Sequence, residues 1–329
     1  MSSISTNAKQ QHCEHQNVSI THLEQQSHFL PFEDGALHVR SILAPEQVRA
    51  DMPVVLLLHG AMSNGKVFYS DSGKGLGCYL ARNGMAVYVM DTFGRGQSEP
   101  SLNRHNNPQQ ESVICQQLPL VHRWILQHHP EAKGVHWCAH SWGGVLMASS
   151  LVRMTDIAPR VLSLVCFGSK RTIKTQSLKK YLMVDLLWNR IAPRLARKHG
   201  YFDARHWRLG MDNESQASLL ETIDWVAGPW IGHQDGFDYS EAAKRCTWPP
   251  AWFFAGARDT VLGNPRDVQD MMAECQLTQA KFTLLAKANG HSADYGHGDM
   301  LTSPLAISDH FPVLKDWWLE LNAAANHSN

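Results

Sequence analysis

Short apolar runs alternate with longer amphipathic stretches through the first half of the chain. The runs predict buried strands, because a strand covered on both faces of a sheet is apolar throughout. They lie at 54–58, 86–90, 134–138 and 161–167. The stretches between them predict helices near 74–83, 110–128 and from about 142. This alternation indicates an α/β fold with a mostly parallel central sheet and helices on both faces.

The residues before this alternation follow a different pattern. Residues 29–32 and 36–42 flank a Glu-Asp-Gly turn, which predicts an opening β-hairpin. Residues 1–26 are polar and rich in His and Gln, and they predict a loose leader. Because they contain no apolar h-region, we do not expect a secretory signal.

The alternation of strands and helices stops after residue 169. Residues 170–247 are helical and aromatic in pattern, and no buried strand is expected there. The strand pattern resumes after Pro249-Pro250. We therefore predict a core formed by residues 27–169 and 248–329, interrupted by a helical insertion at 170–247.

Composition narrows the class of protein. The chain has 329 residues and is 43% hydrophobic, which is enough to bury a large core. Its 30 Lys and Arg balance 30 Asp and Glu, so neither a nucleic acid nor an anionic membrane is expected as a partner. No apolar run reaches the roughly 20 residues of a membrane-spanning helix. The cysteines show no CxxC spacing, which predicts reduced, packed thiols in a cytoplasmic protein: Cys13, Cys78, Cys115, Cys138, Cys166, Cys246 and Cys275.

One segment between a predicted strand and a predicted helix has the pattern of a nucleophile turn. Residues 139–144 read Ala-His-Ser-Trp-Gly-Gly, with small residues two positions either side of Ser141. A tight strand–turn–helix connection leaves no room for larger residues at Ala139 and Gly143. It also raises the serine hydroxyl into a cleft and directs the amino end of the helix towards it. The segment therefore predicts a nucleophilic serine.

Four further motifs occur in an order that fits this serine. They are His59-Gly60, residues 91–98 (Asp-Thr-Phe-Gly-Arg-Gly-Gln-Ser), residues 256–259 (Gly-Ala-Arg-Asp) and residues 295–299 (Tyr-Gly-His-Gly-Asp). Together the five motifs resemble the α/β-hydrolase superfamily, in its serine-nucleophile branch of lipase-, monoacylglycerol-lipase- and serine-aminopeptidase-like proteins. The resemblance runs from about residue 53 to the C-terminus. It implies the α/β-hydrolase fold, with residues 170–247 as a helical cap over the active site.

The resemblance implies a catalytic triad in the order Ser, Asp, His. It places the nucleophile at Ser141, the orienting carboxylate at Asp259 and the general base at His297. His291, nearer the last strand, is a second candidate for the base. Other aspartates compete for the carboxylate role, although none follows the penultimate strand: Asp294, Asp299 and Asp309. A metal site formed by His291, His297 and Asp299 is not favoured, because no metal-ligand spacing supports it.

The same resemblance implies an oxyanion hole formed by the backbone amides of Ala61 and Trp142. His140 is interpreted as structural, because the turn should direct it away from Ser141. Arg95 is expected to pair with a carboxylate rather than to contact substrate. The tryptophans of the insertion are expected either to pack the cap onto the core only or also to line the substrate pocket: Trp188, Trp207, Trp225 and Trp230.

These assignments imply a serine hydrolase that cleaves carboxylic esters through an acyl-enzyme, with no metal or organic cofactor. The expected substrate is a small-molecule ester or a lipid-like ester. An acyltransferase, a thioesterase or a peptidase would use the same triad, and a non-catalytic protein on this fold is a further alternative. Serine at the turn argues against the epoxide- and haloalkane-cleaving branches, which need a carboxylate there. The natural substrate, its acyl length and the oligomeric state stay open.

Overall fold

A computed structural model describes residues 22–327 of the chain. Its strands are β1 (Glu24–Phe32), β2 (Gly35–Leu43), β3 (Val54–Leu58), β4 (Ala86–Met90), β5 (Val135–His140), β6 (Val161–Phe167), β7 (Tyr201–Phe202), β8 (Glu214–Ser215), β9 (Ala251–Gly256) and β10 (Lys281–Leu285). Its α-helices are α1 (Leu76–Arg82), α2 (Gln110–Ser112), α3 (Leu118–His128), α4 (Trp142–Arg153), α5 (Leu178–Lys180), α6 (Ala192–His199), α7 (Gln216–Ala227), α8 (Tyr239–Arg245), α9 (Pro265–Glu274), α10 (Asp299–Thr302) and α11 (His310–His327). Two segments wind as wider π-helical turns, Val113–Gln117 and Tyr181–Ile191.

Eight of these strands form one sheet, in the order β1-β2-β4-β3-β5-β6-β9-β10. The β1–β2 hairpin is antiparallel and joins β4 in antiparallel register. The remaining neighbours are parallel, which confirms the predicted mostly parallel sheet. Because parallel strands end at a common edge, the loops that follow β3, β4, β5, β6, β9 and β10 meet there.

The predicted strand positions agree closely with the structure. β3, β4 and β6 have the predicted bounds, while β5 continues to His140. The opening hairpin is confirmed and is longer than predicted. Its first strand begins at Glu24, opposite Leu43 on β2, so residues 24–26 of the predicted leader belong to the sheet. Residues 1–21 of that leader, with Cys13, lie outside the described residues.

Two apolar layers lie on opposite faces of the sheet. On β3, Leu56 and Leu58 face one layer, whereas Val55 and Leu57 face the other. Helices α3, α4, α8 and α9 pack on the first layer, and α1 and α11 pack on the second. This alternation of side chains follows from the twofold period of a strand. It confirms the helices predicted on both faces.

The segment predicted as the cap, residues 170–247, contains α5 to α8 and the π-helical segment Tyr181–Ile191. The expectation that it holds no buried strand is wrong, because β7 and β8 pair there in antiparallel register. Phe202 and Glu214 on these strands are buried. Two-residue strands are too short to give a periodic sequence signal, which is why the pattern did not reveal them. Phe202 packs with alanines of α6 and Leu219 of α7 in a small separate core.

Two further observations concern the described residues as a whole. The cysteines among them are free: Cys78, Cys115, Cys138, Cys166, Cys246 and Cys275. None of the helices between residues 22 and 327 combines the length and apolar character needed to cross a membrane.

Candidate active site

Ser141 lies in a strained turn between β5 and α4. Its backbone has φ +55° and ψ −127°, a region that residues other than glycine rarely adopt. Its amide donates to the Phe167 carbonyl at 2.8 Å, which holds the turn against the end of β6. A Cβ on Gly143 would lie 2.4 Å from the His59 carbonyl oxygen, so this position requires glycine. The turn places Ser141 in the lining of a cavity at the carboxyl edge of the sheet.

His297 lies in the loop that follows β10, and it lines the same cavity as Ser141. Its Nδ1 lies 2.5 Å from Oδ2 of Asp259, in the loop that follows β9. The amide of Leu262 donates to the other oxygen of Asp259 at 3.0 Å. Burial alone would raise the pKa of Asp259, but the hydrogen bond and charge of His297 hold it below its ordinary value. An ionised carboxylate accepts the Nδ1 proton, which leaves Nε2 of His297 free to act as a base.

The alternative base, His291, belongs to a different cluster. Its Nδ1 lies 2.6 Å from Oδ1 of Asp309 at the start of α11, and it is not among the residues that line the cavity. Asp309 also accepts from the hydroxyl of Tyr295 and the amide of Ser292, at 2.8 Å each. Asp299 pairs instead with Arg258. Thus the residues considered for a metal site, His291, His297 and Asp299, each have a separate partner.

The loop after β3 lies directly against Ser141. A Cβ on Gly60 would come within 2.7 Å of Cβ of Ser141. His59 stabilises this loop, since its Nδ1 donates to the Gly60 carbonyl at 2.9 Å and its Nε2 accepts from the Thr92 amide at 3.1 Å. Ala61 and Trp142 both line the cavity. Neither amide donates to an acceptor within residues 22–327. Both are therefore available to a ligand oxygen, as the amides of an oxyanion hole must be.

His140 contacts the proposed base rather than the serine hydroxyl. Its Nε2 donates to the backbone carbonyl of His297 at 2.9 Å, and the centres of the two rings are 4.6 Å apart. Burial, reinforced by the nearby His297, lowers the pKa of His140 to about 3, so its ring is neutral. A neutral, buried ring that supports the His297 loop is a structural role. Apart from adjacency to Ser141, no feature of the sequence indicated this contact.

The loop after β4 is tied to the predicted cap. Arg95 forms an ion pair with Glu214, which confirms the pairing expected from the sequence. The second oxygen of Glu214 accepts from the amide of Met62 at 2.8 Å, next to Ala61. Asp212 accepts from the amide of Gly96 at 2.7 Å and from the side chain of Asn64 at 2.9 Å. β8 and the residues just before it thus fix the loops after β3 and β4, and the sequence did not predict this connection.

The cavity has a volume of about 340 Å³ and a mostly apolar lining, which is sufficient for a small organic ligand. Of the four cap tryptophans, Trp188 lines it. Trp225 and Trp230 are buried in the apolar layer that contains α4, and Trp230 donates to the Ser149 hydroxyl on α4, so both pack the segment 170–247 onto the sheet. Trp207 is 55% exposed. Both roles considered for the tryptophans therefore occur, at different positions.

Known proteins with this architecture include several hydrolases. Residues 53–209 match the family model of the alpha/beta hydrolase fold. A soluble variant of monoglyceride lipase from Saccharomyces cerevisiae superposes with a TM-score of 0.67 at 13% identity, over 90% of this chain and 96% of that one. A thermophilic esterase from Thermogutta terrifontis gives 0.57 at 14% identity, over 91% and 99%. The thioesterase domain from a curacin biosynthetic pathway gives 0.54 at 17% identity, over 90% and 99%.

No curated protein sequence matches the chain. The family match over residues 53–209 and the superpositions agree with the mostly parallel sheet and the surrounding helices described above. The chain therefore has the α/β-hydrolase fold, as the resemblance noted in its sequence implied. At these identities the solved structures establish the architecture alone.

Proposed function

We propose that the protein is a serine hydrolase that cleaves carboxylic esters, with Ser141 as nucleophile, His297 as base and Asp259 as orienting carboxylate. The observation that carries the proposal is the shared cavity. Ser141 on its strained turn and His297 on its buried carboxylate both line it, although they lie far apart along the chain. A serine hydroxyl becomes a nucleophile only when such a base removes its proton.

In this mechanism Nε2 of His297 takes the proton of Ser141 as the hydroxyl oxygen attacks the ester carbonyl carbon. The amides of Ala61 and Trp142 stabilise the oxyanion that forms. Removal of one donor from such a hole typically costs about 10²–10³ in rate. His297 then returns its proton to the departing alcohol, which leaves an acyl group on Ser141. A water molecule, deprotonated by the same imidazole, releases the carboxylic acid and restores the hydroxyl.

The geometry of the base supports these steps. Asp259 accepts the Nδ1 proton and so fixes the tautomer in which Nε2 is unprotonated. The loop of Asp259 is held by its own short turn, in which the Asp259 amide donates to the Gly256 carbonyl at 3.0 Å. His140 holds the backbone of His297 from the opposite side. The base is therefore positioned through both its side chain and its main chain.

The test is hydrolysis of short p-nitrophenyl esters by the wild type and by Ser141→Ala. We expect the wild type to turn over these esters and to react with a fluorophosphonate, and the variant to do neither while retaining its thermal melting temperature. Ser150→Ala is a matched control, since Ser150 is buried on α4 and bonds to the Ile114 carbonyl away from the cavity. Turnover by Ser141→Ala equal to that of the wild type would refute the proposal. A panel of thioesters, amides and acceptor alcohols separates ester hydrolysis from the other reactions that this triad supports.

A further inference from the structure

Lys170 is a buried cation in the wall of the same cavity. It lies shortly after β6, is 6% exposed, and its Nζ lies 5.7 Å from the centre of the Trp142 ring. Among the described residues that line the cavity, it is the only lysine or arginine. Removing an ammonium group from water is costly unless a partner compensates. Contact with one aromatic ring compensates only part of that cost.

No carboxylate within the described part of the chain forms an ion pair with Lys170, unlike Arg95 and the neighbouring Arg171, which pair with Glu214 and Glu274. Asp259 and Asp267 act on it only through their charge at longer range. Asp259 is engaged by His297, and Asp267 accepts from the amide of Lys174. The cation therefore faces the cavity without a protein anion bound to it.

The protonation state of this group supports a role in binding. Burial lowers the pKa of Lys170 to about 8, although the charges of Asp259 and Asp267 oppose the decrease. At pH 7 the side chain is therefore mainly protonated. Its three N–H groups are the donors that a ligand oxygen would need.

We propose that Lys170 binds a carboxylate of the substrate, so that the preferred substrates are small esters with an apolar body and one carboxylate group. This inference rests on the ester hydrolysis proposed for Ser141. The rest of the wall is mostly apolar, with Leu187, Val226 and Leu262 among its residues. One ammonium group suits a singly charged carboxylate, whereas phosphate recognition usually recruits several donors or an arginine fork.

The experiment compares matched p-nitrophenyl esters. One is the hemiester of glutaric acid, and in its neutral counterpart an isopropyl group replaces the terminal carboxylate. A second pair carries the carboxylate, or the isopropyl group, on the phenol. For each pair we compare kcat/KM for the anionic ester with kcat/KM for the neutral ester, as a ratio. We expect Lys170→Met to lower this ratio by about 10–100-fold in one of the two pairs. Lys170→Gln should lower the ratio similarly, and Lys170→Arg should restore most of it.

The control is Lys174→Met, which removes the same charge from an exposed lysine that pairs with Asp270 outside the cavity. It should leave the ratio unchanged. Calorimetric binding of the non-hydrolysable amide analogue of the hemiester gives a readout without turnover, and Lys170→Met should weaken it by the same factor. Equal ratios and equal binding in wild type and Lys170→Met would overturn the inference. Failure of the proposed function is distinct, since no ester would then be hydrolysed and Ser141 would not react with a fluorophosphonate.

Discussion

The loops between β9 and α11 contain two histidine–aspartate pairs of nearly equal geometry. His297 lies 2.5 Å from Asp259, and His291 lies 2.6 Å from Asp309. The imidazole of His297 lines the cavity that contains Ser141, whereas His291 does not line it. Asp309 instead accepts from the Ser292 amide and the Tyr295 hydroxyl, and these bonds hold the loop before α11 at the start of that helix. A short His–Asp hydrogen bond therefore does not by itself distinguish the proposed catalytic pair, whereas a place in the same cavity as Ser141 does.

The largest expected difference between the pairs is in activity after removal of each imidazole. His297→Ala should lower kcat for a p-nitrophenyl ester by roughly 10⁴–10⁶, because the base of the triad is lost. His291→Ala, its matched control, should retain at least about half of wild-type kcat, because His291 does not line the cavity. Steady-state kinetics at pH 8 measure both. The reverse result would make His291 the base.

The carboxylates provide the next comparison. Asp259→Asn should lower kcat by about 10⁴, because an amide side chain stabilises the wrong imidazole tautomer. Asp309→Asn should change kcat by less than about threefold, since the carboxylate does not touch a group of the proposed site. Equal losses in the two variants would show that the pairs do not differ in the way described.

Disruption of the second pair, His291 and Asp309, should lower the free energy of unfolding. Burial would raise the pKa of Asp309, but the hydrogen bonds from His291, the Ser292 amide and Tyr295 outweigh it and lower the pKa. A carboxylate with a depressed folded-state pKa stabilises the fold at neutral pH, and this contribution is lost as the pH falls through that pKa. Asp309→Asn should therefore lower the free energy of unfolding by about 1–3 kcal/mol at pH 7.

Urea unfolding measures this loss. The difference between Asp309→Asn and wild type should begin to shrink below the ordinary aspartate pKa of about 3.9, and it should disappear as the pH falls through the lower folded-state pKa of Asp309. Asp294→Asn is the control, because Asp294 is exposed and accepts from the Lys287 amide alone among the described groups. A neutral effect of Asp309→Asn at pH 7 would contradict the structural role of the second pair.

Buried histidines that bond to no carboxylate should behave differently from both pairs. Burial lowers the pKa of His136 to about 3 and that of His122 to about 4. Each is neutral in the fold but takes up a proton in the unfolded chain below the ordinary value of about 6.5. Stability is therefore complete above that pH and falls as the solution is acidified, by roughly 2 kcal/mol for each such group at about pH 5.

Urea unfolding of His136→Asn tests this expectation. Its loss of stability between pH 7 and about pH 5 should be smaller than that of the wild type by about 1–2 kcal/mol, because one titrating group is gone. His105→Asn, at an exposed position, should lose as much as the wild type. A wild type whose stability does not change over this range would contradict the neutral state of these histidines.

Most of the sheet could be predicted from the sequence, because its central strands are continuous apolar runs. The bounds of β3, β4 and β6 follow from where such runs start and stop. The serine turn could also be predicted, because its small residues are a direct consequence of steric crowding at Gly143. The strands are specified by neighbouring residues. The crowding at Gly143 comes from the distant His59, but it is visible in the sequence because it requires a glycine at that position.

The features that could not be predicted depend on contacts distant in sequence. The pairing of β7 with β8 rests on two residues in each strand, which leave no periodic pattern. The contact of Glu214 with Arg95 and the amide of Met62 joins three segments that have no common motif. Lys170 follows an apolar strand like many surface lysines, and only the folded cavity distinguishes it. The proposed choice of His297 over His291 likewise rests on position in space, since of the two only His297 lines the cavity.

The central claim, that His297 activates Ser141, is tested most directly by mapping a fluorophosphonate adduct by tandem mass spectrometry. The account predicts an adduct on Ser141 in the wild type and in His291→Ala, formed at similar rates. It predicts that His297→Ala reacts at least about 10³-fold more slowly, since the base is missing. An adduct on another residue, or equal labelling rates in His297→Ala and the wild type, would contradict it.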